Sequence, residues 1–345
     1  MPDPVAQTTH ALALREGGYA SGPVPQMPDS LAPFLEYRKI TLPAPGPGQV
    51  LIEVIMAPIN PSDLFFIQGG YGQPRVQGAA AGFEGVGRVI SGNGPQAGAL
   101  LGKRVSFLGT GSGSWAGHAV SDAALCLPLR DDLRDEDAAA LIVNPLTAVA
   151  LLERVREGRG KGFVLNAAGS QLGRLILGLA RDEGLEPIAV LRRDDIADEL
   201  RALGASAVLN TTAPDFAAQA QAAIRAHKPR TLLDAVGDQA TADLFFAMPA
   251  GARWISYGRM SDNPPSLTQM GQFIFMDKRI EGFWLSRWLP AASPERRAAV
   301  VARVQDRFVS GQWYTRTAAR LPLSGTLDSV LAALHSGAGK VMLHP

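Results

Sequence analysis

The run GFVLNAAGSQLGRLI, from Gly162 to Ile176, joins a short apolar stretch to a turn of small residues and then to apolar residues at helical spacing. Such a strand-to-helix turn aims backbone N–H groups and a positive helix end at one point, and its small residues let a pyrophosphate approach. By spacing, Gly169 is the close-approach position and Gly173 the one that packs helix on strand. Gln171 stands where a dinucleotide fingerprint often carries glycine, so alone this turn is almost as well explained by a plain α/β connection.

Working outward, strands are expected at 162–166, 186–191, 207–209, 231–235 and 252–257, with helices at 172–183, 196–203, 215–226 and 239–246 between them. That alternation implies an α/β fold with a doubly wound parallel sheet. Residues before about 140 have another texture, with Gly and Pro between short apolar runs such as 50–56 and 87–90, which predicts a partly open β-barrel. Helical spacing over 136–156 is broken by Pro145. After Gly282 come a long helix (294–310), a strand near 319–321, another helix and a last strand at 339–343, too little for a core of its own. Three segments follow: 1–140 as the barrel's first part, 141–282 as the dinucleotide-binding domain, and 283–345 returning to the barrel.

About 20 residues beyond the glycine turn, an acidic residue would hold the ribose of NAD. Here the strand ending at Leu191 leads into Arg192 and Arg193, whose guanidinium groups suit the 2′-phosphate of NADPH. The other reading leaves both arginines solvated, with Asp194 or Asp195 on the ribose.

Bulk properties exclude several classes. The 345 residues are 46% hydrophobic and carry a net charge of +1 with no long basic run, so neither nucleic acid nor an anionic membrane is an expected partner. A single cysteine, Cys126, rules out an intramolecular disulfide and any zinc site of several thiolates, and the five histidines have no metal-binding spacing. The amino-terminal stretch MPDPVAQTTHALALREGGY lacks the charge and apolar pattern of a signal peptide, and no stretch has the roughly 20 apolar residues of a membrane span. A cytoplasmic enzyme is expected.

Separated motifs then make the comparison specific: NPSDLFFIQGGYG from Asn60 to Gly72, GFEGVGRV from Gly82 to Val89, NPLTA from Asn144 to Ala148, SYGRM from Ser256 to Met260, and FWLSRW from Phe283 to Trp288. With Lys340, these resemble the medium-chain dehydrogenase/reductase superfamily, and within it the NADPH-dependent 2-enoyl thioester reductases, with quinone oxidoreductases next. The resemblance implies a GroES-like catalytic domain interrupted by a Rossmann domain, with the active site in the cleft between them. Zinc-bearing relatives have a cysteine near the position of Asn60, a histidine near Phe83 and a four-cysteine lobe, none of which is present, so no metal is expected. The resemblance makes Tyr71 the proton donor. It assigns to the cofactor Asn144, Gly169, Ser170, Gln171, Leu172, Gly173, Arg192, Arg193 and Asp194. It adds Tyr257, Gly258, Arg259, Met260, Phe283, Trp284, Leu285, Ser286 and Lys340. Asn60 and Trp284 fall at positions suited to orienting substrate, and a homodimer joined through an edge of the Rossmann sheet is implied.

In that chemistry a hydride adds to the β-carbon of an enone or enoyl thioester, charge moves to the carbonyl oxygen, and an acid must protonate the α-carbon. A phenol, with an unperturbed pKa of about 10, keeps its proton near neutrality. Each residue also has a plainer reading. Tyr71 in QGGYGQP is otherwise a loop aromatic. Asn60 and Asp63 would organise a turn around Pro61, Glu84 in GFEG would be structural, and Trp284 with Trp288 would simply pack. A quinone or alkenal reductase is the competing enzyme, and a non-catalytic NADPH-binding dimer the competing class.

Overall fold

Strands begin at the first described residue; the structure, a computed structural model, describes residues 7–345. Residues 1–6 of the stretch read for targeting lie outside the described residues. The chain begins with strands β1 (Gln7–Leu14), β2 (Leu35–Leu42) and β3 (Gln49–Pro58), followed by helix α1 (Pro61–Ile67). Then come β4 (Glu84–Gly92), the short α2 (Pro95–Gly98), β5 (Arg104–Leu108), β6 (His118–Asp122), β7 (Cys126–Pro128) and α3 (Asp135–Ala139). β1 and β2 pair along their whole length. β3 is the hub, antiparallel to both β4 and β6. Its residues Val50, Ile52 and Val54 are buried together with Val89, Val105 and Phe107. Each such side chain contributes roughly 1.5–3 kcal/mol on leaving water.

Helix α4 (Val143–Glu157) begins before Pro145 rather than breaking at it. The helical spacing instead lapses between Ala139 and Val143, and Pro145 sits in the first turn of α4, where its missing N–H interrupts no intrahelical bond. The regular series follows: β8 (Gly162–Leu165), α5 (Gln171–Asp182), β9 (Glu186–Leu191), α6 (Ala197–Leu203), β10 (Ala207–Asn210), α7 (Phe216–His227), β11 (Thr231–Asp234), α8 (Gln239–Ala247) and β12 (Arg253–Ser256). The short α9 (Gly271–Phe275) and β13 (Arg279–Gly282) complete it. All pairings are parallel, and the order is β10-β9-β8-β11-β12-β13. With β8 as the first strand this is the 3-2-1-4-5-6 order, whose reversal between β8 and β11 opens a crevice at the strands' carboxyl ends. Val164, Ile188, Val190 and Leu232 from the strands pack with Phe245 from α8 and with Trp254 to form this sheet's core.

Strand β13 is absent from the strands expected above. Its residues are mostly exposed, so it lacks the apolar run that marked the inner strands. The FWLSRW segment lies largely in α10 (Leu285–Ala291), with Trp284 as its N-cap. Helix α11 (Pro294–Val309), β14 (Thr317–Pro322), α12 (Leu327–His335) and β15 (Lys340–His344) end the chain. β15 pairs with β3 through Met342 against Pro58 and Leu343 against Ala57, so the tail adds two strands to the barrel sheet. The chain divides into a barrel unit, comprising the described residues to Val143 and Val301–Pro345, and a Rossmann unit, Asn144–Val300.

Candidate functional site

Where β3 gives way to α1 in the barrel unit, four polar side chains from distant parts of the sequence are sealed from solvent. Asn60, Asp63, Glu84 and Lys340 are all less than a tenth exposed. The Asn60 amide donates to Glu84 Oε1 at 2.9 Å, while its carbonyl oxygen accepts from Lys340 Nζ. Glu84 Oε2 accepts from the backbone N–H groups of Ile142 (3.1 Å) and Val143 (2.9 Å). Asp63, at the third position of α1, accepts from the N–H of Asn60 at 2.7 Å and from that of Phe83 at 2.9 Å.

Two carboxyls and one ammonium in a dry site cannot all hold their ordinary protonation. Burial, reinforced by the Glu84 charge, pushes Asp63 up to about 7 against the lowering effect of its backbone bonds. Burial also raises Glu84 and lowers Lys340, each shift being opposed by the attraction between them. Asn60 thus does more than shape a turn around Pro61, since its amide bridges the opposite charges. Lys340, assigned above to the cofactor, lies in this buried cluster.

Helix α1 runs from that cluster toward Tyr71. Gly69 leaves the helix at φ +81°, a conformation that favours glycine, and the N–H groups of Gly69 and Gly70 donate to the carbonyls of Phe66 (2.8 Å) and Phe65 (2.9 Å). Tyr71 is half-buried. Its ring lies 4.9 Å from that of Phe83, which lies 5.0 Å from Phe66.

In the Rossmann unit, Ser170 caps α5 by accepting from the Gly173 N–H at 3.0 Å, and Gln171 and Leu172 form the helix's first turn. A Cβ on Gly173 would stand 2.5 Å from the Ala168 carbonyl oxygen, so helix and strand-end are in backbone contact there. One on Gly169 would meet only the tip of Ile196. Arg192, Arg193 and Asp194 are exposed just beyond β9. Arg193 pairs with Asp195, and Asp194 accepts from Asn210, whereas among the described residues no carboxylate pairs with Arg192.

Beyond β12, the Tyr257 N–H donates to the Asp234 carbonyl and the Met260 N–H to that of Ala235, with Gly258 held close against Ala235. The Tyr257 hydroxyl is buried with no hydrogen-bond partner among the described residues, and burial, with the nearby Asp234 charge, raises its pKa. Arg259 and Met260 are exposed, and Asn144 is half-buried in the first turn of α4. The Phe283 N–H donates to the Ser256 carbonyl, Leu285 and Ser286 open α10, and the Arg287 guanidinium lies 5.7 Å from the Trp284 ring centre.

A network not foreseen from sequence fixes these strand ends. Asn166 donates to Asp234 and Thr241 and accepts from the Ala235 N–H, while Asp234 accepts from Val236, Gly237 and the Trp254 indole. Its one sequence signal was the polar residue closing each apolar strand. Among the described residues no group of three His, Cys, Asp or Glu side chains is placed to hold a metal ion.

Two family models match the chain: an alcohol dehydrogenase GroES-like domain over residues 46–131 and a zinc-binding dehydrogenase domain over residues 172–305. A mitochondrial enoyl-[acyl-carrier-protein] reductase from Bos taurus is 30% identical over 307 residues, covering 88% of this chain and 82% of its own. A solved structure of a Mesorhizobium loti protein, provisionally assigned as an NADPH:quinone reductase, is 47% identical, superimposes with a TM-score of 0.93 and is matched over 98% of each chain. The Etr1p/NADP/crotonyl-CoA complex, Etr1p being from Candida tropicalis, has a TM-score of 0.79 over 98% of this chain and 100% of its own; at 19% identity it shows a shared fold. A GroES-like barrel built around β3, a parallel sheet in the 3-2-1-4-5-6 order and a bovine relative matched over most of its length leave one assignment: the chain belongs to the medium-chain dehydrogenase/reductase superfamily.

Proposed function

We propose that the protein reduces the carbon–carbon double bond of 2-enoyl thioesters, enoyl-CoA or enoyl-acyl-carrier-protein, with NADPH as hydride donor and Tyr71 as proton donor. The observation that carries this reading is the setting of Tyr71, half-buried in a glycine turn and packed against Phe83 beside a buried polar cluster. A loop aromatic without a task has no need of such support. The bovine relative's name, an enoyl reductase, agrees with it.

NADPH supplies a hydride when bound. The residues that fit it are Ser170–Gly173 at the amino end of α5, for the pyrophosphate, and Arg192, whose guanidinium has no acidic partner among the described residues and suits a 2′-phosphate. The buried Tyr257 hydroxyl, without a partner among the described residues, is a further polar group that a ligand would satisfy. The Tyr71 hydroxyl supplies the proton for the α-carbon.

A second reading, NADPH:quinone or alkenal reductase, is favoured by the name of the Mesorhizobium loti neighbour at 47% identity. It keeps the cofactor site but needs less specific proton delivery, since the quinone or alkenal oxygen or carbon can take its proton from solvent, and Tyr71 is then not required as the donor. The deciding experiment follows NADPH oxidation by the purified protein with crotonyl-CoA, a longer 2-enoyl-CoA and a benzoquinone side by side, with NADH as control. Turnover of thioesters with NADPH upholds the proposal; turnover of quinone with inert thioesters replaces it with the second reading. We further propose that the protein is a homodimer joined along β13, one of the two outermost strands of the Rossmann sheet.

A further inference from the structure

Asp63 takes no part in the proton and hydride transfers above, yet it is fully buried and carries a carboxyl where a neutral side chain would be cheaper to bury. Its two oxygens face two donors on different elements. One is the N–H of Asn60 at the start of α1; the other is the N–H of Phe83, the residue leading into β4. A helix cap needs only the first bond. The second fixes Phe83, whose carbonyl is tied in turn to the Gly109 N–H at 2.8 Å, so this residue is held from both sides of its backbone. The Phe83 ring then sits between two others, Phe66 of α1 at 5.0 Å and 47°, and Tyr71 at 4.9 Å and 41°. Both ends of the path from Asp63 to Tyr71 are therefore set by one carboxyl group: α1, which carries the chain to the glycine turn, and Phe83, against which the tyrosine ring rests.

We propose that Asp63 is a positioning residue for the Tyr71 phenol, acting through the backbone and ring of Phe83. The catalytic consequence rests on the reading of Tyr71 as proton donor, whereas the placement of the ring does not. The two N–H groups face different oxygens of Asp63, and asparagine puts an NH2 donor in place of one of them, so either Asn60 or Phe83 loses its acceptor. Leucine at position 83 keeps the N–H and the Asp63 bond but removes the ring.

The test labels the NADPH-bound protein with 3-fluorotyrosine, which gives a fluorine signal for each of its five tyrosines; Tyr71→Phe assigns the Tyr71 line by its disappearance. In Asp63→Asn that line should move toward the position of free fluorotyrosine, with the lines of Tyr19, Tyr37, Tyr257 and Tyr314 in place. Phe83→Leu should move the same line, which tests the ring contact. If Asp63→Asn does not fold, Asp63→Ser, which likewise cannot present two separate oxygens to the Asn60 and Phe83 N–H groups, carries the test of Asp63. With crotonyl-CoA, kcat of Asp63→Asn should fall about tenfold to a hundredfold while KM for NADPH holds, the size expected of a misplaced group. The double variant Asp63→Asn/Tyr71→Phe should be no slower than Tyr71→Phe. A Tyr71 line unmoved in the folded Asp63 variant overturns the proposal, whatever Phe83→Leu does. Full activity in Tyr71→Phe removes the donor role instead, and the fluorine spectra still decide the positioning.

Discussion

At the scale of single residues, the barrel unit separates a group that would give a proton from groups that would hold it in place. Replacing Tyr71 with phenylalanine keeps the ring against Phe83 and removes only the hydroxyl. Turnover with an enoyl thioester should then fall by about 10²–10⁴, the usual contribution of a positioned acid, with NADPH affinity little changed in a direct titration. Asp63 makes a different prediction, about stability. Burial above all lifts its carboxyl from 3.8 to about 7. An acid whose folded pKa exceeds its unfolded one stabilises the fold when protonated. That contribution is complete below about pH 4 and is lost as pH rises through about 7. Measured by urea unfolding, the stability of the native protein relative to Asp63→Asn should therefore fall by ~1–3 kcal/mol between about pH 5 and pH 8. A difference that stays flat over that range would mean that the carboxyl ionises as it does in the unfolded chain.

At the scale of elements, the cofactor proposal depends on the amino end of α5 and the carboxyl end of β9. A methyl on Gly173 would press on the backbone of Ala168, which no side-chain rotation relieves. Gly173→Ala should cost about 1–3 kcal/mol of stability and weaken NADPH binding, both readable in a thermal shift with and without cofactor. Arg192→Ala should raise the Kd for NADPH about tenfold to a hundredfold, the equivalent of a lost charge-assisted hydrogen bond, and leave that for NADH almost alone. Equal effects on the two cofactors would assign the phosphate to another group. These elements were legible because each inner strand is a short apolar run followed by a helix with one apolar face, a local pattern that gave their bounds to within about two residues. Strand β13, exposed on its outer side, has no such run, and the break before α4 was misplaced because Pro145 reads as a breaker although a first turn tolerates it. The buried cluster was legible only in part. Asn60 and Asp63 stand in one motif, but Lys340 follows Asn60 by 280 positions, and only the pairing of β15 with β3 brings them together.

At the scale of the whole molecule, the Rossmann sheet ends in an edge that the chain itself leaves uncovered. Beyond β13 no further strand of the described residues pairs with it, and Ile280 on that strand is 44% exposed. The helix just before it, α9, exposes Ile274 (75%) and Phe275 (85%), an unusual cost for a chain that buries its other phenylalanines at least in part. Open strand edges invite pairing, and proteins that leave them open usually guard them with charge or a bulge. Here Arg279 is engaged by Asp277, and apolar residues flank the pair. A second copy related by a two-fold axis would pair β13 with β13 and bury Phe275 on both sides, which satisfies the free backbone groups and the exposed rings together. Light scattering after gel filtration should therefore give twice the 36.5 kDa chain mass. The paired change Phe275→Asp with Ile280→Lys should give the single-chain mass while leaving NADPH binding measurable, because neither residue lies among those proposed for the cofactor. A native protein that elutes as one chain would show that the edge of β13 is not where two copies meet.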